Sequence, residues 1–476
     1  MKARAATGLL GLLALEACTV GPTYHSPQTA TPSAYVEAPA GGSALAGTAA
    51  SDATLERWWE LFSDPTLRDL IEQALAANPD LQTAASRVRE ARLQEIEARS
   101  AEYPDVSAAL NAVVLRSSLA GGGSLPIPSA LNLYTAGFDA TWEVDMFGGT
   151  RRAVEAARAN TEAAVWARRD GEVSLSAEVA NDYLTLCGLQ ARIALEQAQL
   201  QRERDLFTLI RQRRQTGFVT QLNVNQQTGA VQSAMAQIPV LQAQARGEIH
   251  ALGVLLGQTP EALATRLASA SALPTTPPPL PLGLPSELLR RRPDIREAER
   301  RLAASNAQIG VQMAALYPKL NLIGLATFTG TSLDSLFSGK NLLGAAVGMA
   351  SEPLLDAGRR RASVNVAKEE TAQATLAYRK AVLGALRDVE DALSRYRFEQ
   401  QQHTALAGAV DATRDSLGIA EDRYKTGFIT FTDVLQAQNA LLTLQDQLTQ
   451  SDAQLLSDLV ALYKALGGGW SSDTGD

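Results

Sequence analysis

The sequence predicts a mainly α fold with transmembrane β. It reads as a duplicated unit of long coiled-coil helices, with four strands per chain contributing to a shared barrel. Three observations carry this. Two halves of the 476-residue chain match at a near-constant offset, long proline-free stretches keep three- and four-residue apolar steps, and each half holds a pair of alternating apolar and polar segments.

The first segment is an address. Lys2 and Arg4 precede an uncharged apolar run, Ala5 to Leu15, and then Leu15-Glu16-Ala17-Cys18. A basic start, a short apolar stretch and a small residue before the cut describe a signal peptide over residues 1–17. Cys18 after Leu-x-Ala resembles a lipobox, although Glu16 departs from the small uncharged residue expected there. Residues 18–52 then read as a lipid-anchored leader, extended because Pro, Ala, Gly, Ser and Thr dominate it. No later run of about 20 apolar residues follows, so any membrane crossing must use strands.

The duplication follows. Pro79-Asp80-Leu81 recurs as Pro293-Asp294-Ile295, and each is followed by a second proline, Pro104 and Pro318. Thr216-Gly217-Phe218-Val219-Thr220 recurs as Thr426-Gly427-Phe428-Ile429-Thr430. The offset is 214 early and 210 later, so the second copy is slightly shorter in between. The first repeat spans residues 53–283 and the second 284–470, with a tail at 471–476.

Each repeat predicts a helix hairpin, about 151–257 and about 359–467. Val389, Leu393, Tyr396, Leu406, Val410 and Leu417 keep a heptad-like seam, as do Leu186, Leu189, Ile193, Leu200, Phe207 and Ile210. A helix from Arg151 to Thr216 would run roughly 100 Å. The shorter helices on either side sum to nearly that length, so one long helix should pack beside two short ones stacked end to end. The Gly217 and Gly427 turns then mark one end.

Strands lie at the other end, at about 105–117, 131–145, 319–329 and 341–351. Tyr134, Ala136, Phe138, Ala140, Trp142 and Val144 alternate with Thr135, Gly137, Asp139, Thr141, Glu143 and Asp145. This is the lipid-out, water-in pattern of a membrane barrel strand, with an edge hairpin of a soluble sheet as the other reading. The stretch Leu119–Ala130 reads as the loop of the first strand pair. Four strands do not close a membrane barrel, and open edges do not face lipid, so two, three or four chains would supply 8, 12 or 16 strands.

Charged residues make up 20% and aromatics 5%, which favours long helices over compact aromatic cores. The net charge of −8 lacks the basic footprint of a nucleic-acid binder, so no nucleic-acid partner is expected. With Cys18 committed to the leader, Cys187 has no partner for a disulfide and reads as a small packed residue. The three histidines are far apart, and no His-Glu-x-x-His, Gly-Lys-Ser/Thr phosphate loop or Cys-x-x-Cys occurs. No enzyme activity, cofactor or metal is expected.

Several motifs now come together. They are Cys18-Thr19-Val20-Gly21-Pro22, Trp142-Glu143-Val144-Asp145-Met146-Phe147-Gly148, Asp356-Ala357-Gly358-Arg359-Arg360-Arg361, and Arg423-Tyr424-Lys425-Thr426-Gly427-Phe428 followed by Asp433-Val434-Leu435-Gln436-Ala437-Gln438. In this order and duplicated, they resemble the outer-membrane factor family, the TolC- and OprM-like channels, and within it the NodT-type efflux lipoproteins. The resemblance covers nearly the whole chain from Cys18 to Gly469. It implies a Gram-negative outer-membrane location, a periplasmic α-barrel of long helices and an outer-membrane β-barrel shared by a homotrimer. It also implies palmitate on Cys18 and contact with outer-membrane lipid. A mixed belt would come from residues 53–77 and 259–289, including the Pro-rich stretch 274–285, and from the C-terminal end.

The partners implied are a periplasmic adaptor (a membrane fusion protein) and an inner-membrane pump of the RND type. The helix-tip turns Gly217, Phe218, Gly427 and Phe428 would face the adaptor. Asp433 matches the constriction carboxylate of a periplasmic gate, Gln436 stands where TolC has a second Asp, and Tyr424 matches a tip Tyr that holds helices together. Ile429 replaces the gate Arg and Asn223 replaces an Asp, which implies a less charged gate. Read from the residues alone, Asp433 is equally a first-turn acid stabilising a helix N-terminus. The function implied is a passive export duct of a tripartite efflux pump for drugs or other small molecules. The alternatives are the duct of a type I protein-secretion system and a pore-less structural coiled-coil lipoprotein.

Overall fold

The computed structural model describes residues 19–37, 55–116, 130–268, 273 and 285–471. The expected signal peptide, Cys18, residues 38–54 of the chain, residues 117–129 where a loop is expected, most of 269–284 and the last five residues lie outside the described residues. The first repeat holds α1 (Pro65–Ala77), α2 (Pro79–Ser100), β1 (Asp105–Arg116), β2 (Ala130–Val144), α3 (Gly149–Gln215) and α4 (Gln221–Leu255). The second holds a short α5 (Leu288–Arg291), then α6 (Pro293–Ala314), β3 (Lys319–Gly330), β4 (Leu342–Ser351), α7 (Arg359–Lys425) and α8 (Phe431–Ala465).

The two repeats match in element length. The long helices α3 and α7 have 67 residues each, α4 and α8 have 35 each, and α2 and α6 have 22 each. β1 and β3 both have 12 residues, whereas β2 has 15 and β4 has 10. The change of offset from 214 to 210 therefore falls within the strand hairpin, and the helices keep a constant register with their counterparts.

The chain divides into two compact units. The first comprises Met1–Gln28, Arg87–Val165 and Glu297–Arg379, and contains the sheet. Its strands lie in the order β1-β2-β3-β4, all antiparallel. Phe138 pairs with Ala108 on one side and Ala326 on the other, and Trp142 pairs with Leu322. Residues directly opposite share a face. One face thus carries Val106, Leu110, Phe138, Trp142, Leu322, Phe328 and Leu342, with Ala and Gly between them. The other carries Ser107, Asn111, Asp139, Glu143, Lys319, Asn321 and Thr327, with aliphatics toward β4. Ser107 donates to Asp139 at 2.7 Å and Lys319 pairs with Glu143 at 3.0 Å, both on this polar face.

Both strand-to-helix junctions of this unit use an aspartate. Asp145 accepts from the Arg151 backbone N–H at 2.9 Å and from its guanidinium at 3.3 Å. Asp356 accepts from Gly358 N–H at 3.0 Å and Arg360 Nε at 2.8 Å. A carboxylate here satisfies N–H groups that the first helical turn leaves free. Residues 19–37 hold no helix or strand, yet the first of them are packed. Val20 N–H donates to the Phe147 carbonyl at 3.0 Å, Arg152 Nε donates to the Val20 carbonyl at 3.3 Å, and Tyr24 donates to Glu299 at 2.7 Å.

The second unit comprises Thr29–Ser86, Trp166–Arg296 and Lys380–Asp476, and holds the turns of both helix hairpins. Its seams follow the heptad reading: Leu186, Ile210, Val389, Leu393 and Val410 are buried. Cys187 is also buried, at 1% exposure, and burial pushes its thiol up to about 11. A satellite core joins the segment before α1 to the end of α8, where Trp58 stacks on Tyr463 with ring centroids 5.4 Å apart. The end-to-end stacking of short helices is also present here. Asn78, which precedes α2, donates to the carbonyl of Leu255 at the end of α4 at 2.9 Å.

Candidate functional site

The paired turns of the helix hairpins bring together most of the site residues read from the sequence. In each, the long helix ends in a left-handed glycine, Gly217 at φ 79° and Gly427 at φ 80°. The following amide reaches back to close the end: Phe218 N–H donates to the Arg213 carbonyl at 3.0 Å, and Phe428 N–H to the Arg423 carbonyl at 2.9 Å. This is a Schellman ending, and a side chain at the glycine would meet the steric cost of positive φ. It leaves Phe218 and Phe428 pointing outward, at 83% and 82% exposure.

The return helices start on a threonine in each copy. Asn223 Oδ1 accepts from Thr220 N–H at 3.0 Å and its hydroxyl at 2.8 Å. Asp433 Oδ2 accepts from Thr430 N–H at 2.8 Å and its hydroxyl at 2.7 Å. These are reciprocal caps of identical layout, one neutral and one charged. The Thr430 hydroxyl and backbone N–H hold the Asp433 carboxyl below the usual carboxylate range. Within one chain Asp433 therefore caps a helix. It is also exposed, and Gln436, three residues on, is exposed on the same side of α8.

Tyr424 is half-buried and links the two hairpins. Its ring lies 5.7 Å from that of Phe431, and the Arg213 guanidinium sits 5.3 Å over it. Arg213 belongs to α3, so this cation–π contact ties the first hairpin to the second near their turns. The sequence reading of Tyr424 gave it a holding role but did not find Arg213, because no local motif marks a partner that distant in the chain. Further along the hairpins, buried Gln199, Glu203 and Gln227 form a polar layer between α3 and α4, with Gln227 Nε2 donating to the Glu203 carbonyl at 2.9 Å. Their counterparts in the second hairpin are Ala409, Thr413 and Ala437, so this layer belongs to one hairpin only.

Cys18 lies outside the described residues, but its neighbours are placed. Thr19 lies against Gly148 and Val20 is held at the Phe147 carbonyl, just beyond the end of β2. Among the described residues, no group of three or more His, Cys, Asp or Glu side chains is arranged to hold a metal ion. No described helix is long and apolar enough to cross a membrane. The sheet has two unpaired outer edges, β1 and β4, and one face without a charged side chain from Val106 to Val114 and from Tyr134 to Val144.

The family model described as outer membrane efflux protein matches residues 70–258 and 284–468. The pyoverdine export outer membrane protein OpmQ of Pseudomonas putida is 34% identical over 447 residues, covering 93% of this chain and 94% of that protein. Nodulation protein T of Rhizobium leguminosarum bv. trifolii is 31% identical over 460 residues, covering 96% of each. The solved structure of the outer-membrane channel OprN superposes with a TM-score of 0.87 at 34% identity, covering 95% of this chain and 100% of that one.

Proposed function

The chain belongs to the outer membrane efflux protein family, and from that premise we propose how its parts act. The protein is the outer-membrane channel of a tripartite efflux pump, with a periplasmic extension of long helices. It serves as a passive duct for small molecules handed over by other components.

Three copies close the barrel, joining β1 of one to β4 of the next and giving twelve strands. The apolar face of the sheet then meets lipid and the face bearing Asp139, Glu143 and Lys319 lines the water-filled side. This arrangement removes both open edges, which lipid would leave without hydrogen-bond partners. Cys18 carries the acyl anchor, beside the Phe147 end of β2 where its neighbours Thr19 and Val20 lie. The exposed Phe218 and Phe428 turns meet a periplasmic adaptor, which links the duct to an inner-membrane pump of the RND type. Asp433 and Gln436 form the constriction at the helix tips, where symmetry would bring copies of the carboxylate together and favour cations. Tyr424 holds the tip of the second hairpin against Arg213.

The observation that carries this reading is the sheet, with one face free of charge from Val106 to Val114 and from Tyr134 to Val144 and with two unpaired edges. The test is reconstitution of detergent-purified full-length protein into planar bilayers, with oligomeric state read by cross-linking. Stepwise conductance from a trimer is expected. A stable detergent-free monomer with no conductance would sink the reading. For the anchor, Cys18→Ser should abolish incorporation of labelled palmitate.

A further inference from the structure

β2 and β4 leave the sheet for their long helices at one level. Leu320 of β3 pairs with Val144 on one side and with Ala350 on the other, so the ends of β2 and β4 lie in one row. Beyond that row the two junctions are finished differently. At the first, the Phe147 ring stacks on Tyr317 with centroids 4.6 Å apart. The Phe147 carbonyl accepts from Val20 N–H at 3.0 Å, and Thr19 lies against Gly148. The start of the leader covers this junction, and Cys18 is the next residue along the chain.

The second junction has no such cover. Leu354 and Leu355 are 96% and 92% exposed, and the counterpart of Phe147 at the helix offset of 210 is Ala357. Its charges are also unevenly used. Arg360 is turned inward, with Nη1 on Glu352 at 2.7 Å and Nε on Asp356 at 2.8 Å. Arg359 and Arg361, on either side of it in the chain, are exposed and make no ion pair among the described residues. From Glu352 to Arg361 the junction holds three arginines against two carboxylates, a net charge of +1.

Two adjacent bare leucines are costly in water and call for a cover. Apolar side chains that enter the headgroup layer, beside basic ones that attract anionic lipid, are how a surface segment holds to a bilayer. A guanidinium can meet a phosphate with two parallel N–H bonds.

We propose that Leu354, Leu355, Arg359 and Arg361 form a second, non-covalent lipid contact of each protomer. The leucines enter the periplasm-side leaflet, and the arginines bind the phosphates of anionic phospholipid headgroups. The proposal rests on the lipid-facing barrel and the acyl anchor on Cys18, which set the level of that leaflet. The two halves of the duplicated unit then hold the same leaflet by different chemistry, an acyl chain at the first junction and side chains at the second.

The test uses full-length trimers in vesicles of phosphatidylethanolamine with phosphatidylglycerol as the minor lipid. Leu355→Cys carries a bimane label, and Cys187 is buried and escapes it. Lipid bearing a nitroxide at the top of its acyl chain should quench this label. It should not quench one on Gln373→Cys, an exposed position 14 residues along α7 from Arg359 and roughly 20 Å away. Nitroxide phosphatidylglycerol should quench roughly fivefold more than nitroxide phosphatidylcholine at equal content. Arg359→Gln combined with Arg361→Gln should remove that preference and leave the quenching by phosphatidylcholine. Salt at 1 M should remove it too, since the screening length falls to about 3 Å. Leu354→Ser combined with Leu355→Ser should leave the yield of cross-linked trimer unchanged.

Conducting trimers in which the label at position 355 is quenched no more than that at 373 would overturn the contact. Quenching that ignores the headgroup would overturn it as well, because immersion in hydrocarbon needs no arginine. Cross-linking of Leu355→Cys to the next copy, or loss of the trimer in the serine variant, would show that a second copy covers the leucines, and this also overturns it. Protein that neither inserts nor conducts would remove the channel reading itself, and the conductance record separates that result from the others.

Discussion

Arg292 Nη1 donates to the carbonyl of Ala465 at 3.0 Å, at the place where the other repeat has Asn78 donating to Leu255. Both contacts join the start of a 22-residue helix to the end of a 35-residue helix. In each, a side chain satisfies a carbonyl that the helix end leaves free. Arg292 does more than Asn78, since it also pairs with Asp294 at 2.7 Å and Asp388 at 3.2 Å. Its side chain is only 12% exposed.

Arg292→Ala should therefore destabilise the protein by about 2 kcal/mol, the cost of losing a charged donor from a half-covered cluster whose carboxylates Asp294 and Asp388 stay in reach of water. Arg292→Asn restores the donor found in the other repeat and should recover about 1 kcal/mol of that. Thermal unfolding of the detergent-solubilised variants, followed by circular dichroism, measures both. An Ala variant melting with the wild type would show that the junction is held by other contacts.

Asp182 on α3 has its carboxyl pushed up to about 6, first by burial and then by Glu248 and Glu178. A raised carboxyl favours the protonated form in the folded state. The stability it contributes is present below the unfolded value near 4 and is lost as pH rises through about 6. Asp182→Asn should thus be more stable than wild type at pH 7.5, by no more than about 1 kcal/mol once solvent screening is allowed for. The difference should vanish near pH 4. Melting curves at the two pH values check the sign, and a variant less stable at pH 7.5 would refute it.

Asp433 has a cap to make and a charge to place, and the other repeat supplies the variant that separates them. Asp433→Asn keeps the cap geometry that Asn223 already shows with Thr220. Asp433→Ala loses it, at a cost of about 1 kcal/mol. If the carboxylate rings the passage, both variants should raise conductance and weaken cation preference in planar bilayers. A change with Ala alone would mean that the cap is its whole role.

Gly217→Val and Gly427→Val place a β-branched residue at φ near 80°, although nothing lies within 4 Å of the added Cβ. The cost is backbone strain of about 1–2 kcal/mol or more, which should reshape the turn and move Phe218 or Phe428. Pull-down of the cognate adaptor should weaken in both. Intact capture by the two variants would place the docking surface elsewhere.

Features that leave a local mark were legible in the sequence. The Gly217 and Gly427 turns, the α2 and α6 starts at Pro79 and Pro293, and the alternation around Phe138 each depend on residues a few positions apart. Asp433 was legible as a first-turn acid, and the structure shows it capping the start of α8 through Thr430. The ties between hairpins were not legible. Arg192 and Asp446 are 254 residues apart, and Arg213 reaches Tyr424 across a similar gap. An arginine on a helix face looks solvated until the fold supplies its partner. Tyr24 and Tyr35 were hidden for the opposite reason. They sit in a leader whose composition denies it regular structure, yet Tyr24 bonds Glu299 and Tyr35 is 7% exposed.

The equal lengths of α3 and α7, and of α4 and α8, bear on how such a chain can change over time. One residue inserted into a 67-residue helix would turn everything beyond it by about 100° and carry the seam residues off their partners. A strand hairpin loop absorbs the same insertion without rotating any neighbour. Drift in length should collect at the outward-facing loops, where an epitope spliced beside Asp334 would be displayed to antibody on intact cells. The helical shaft, by contrast, is confined to substitution.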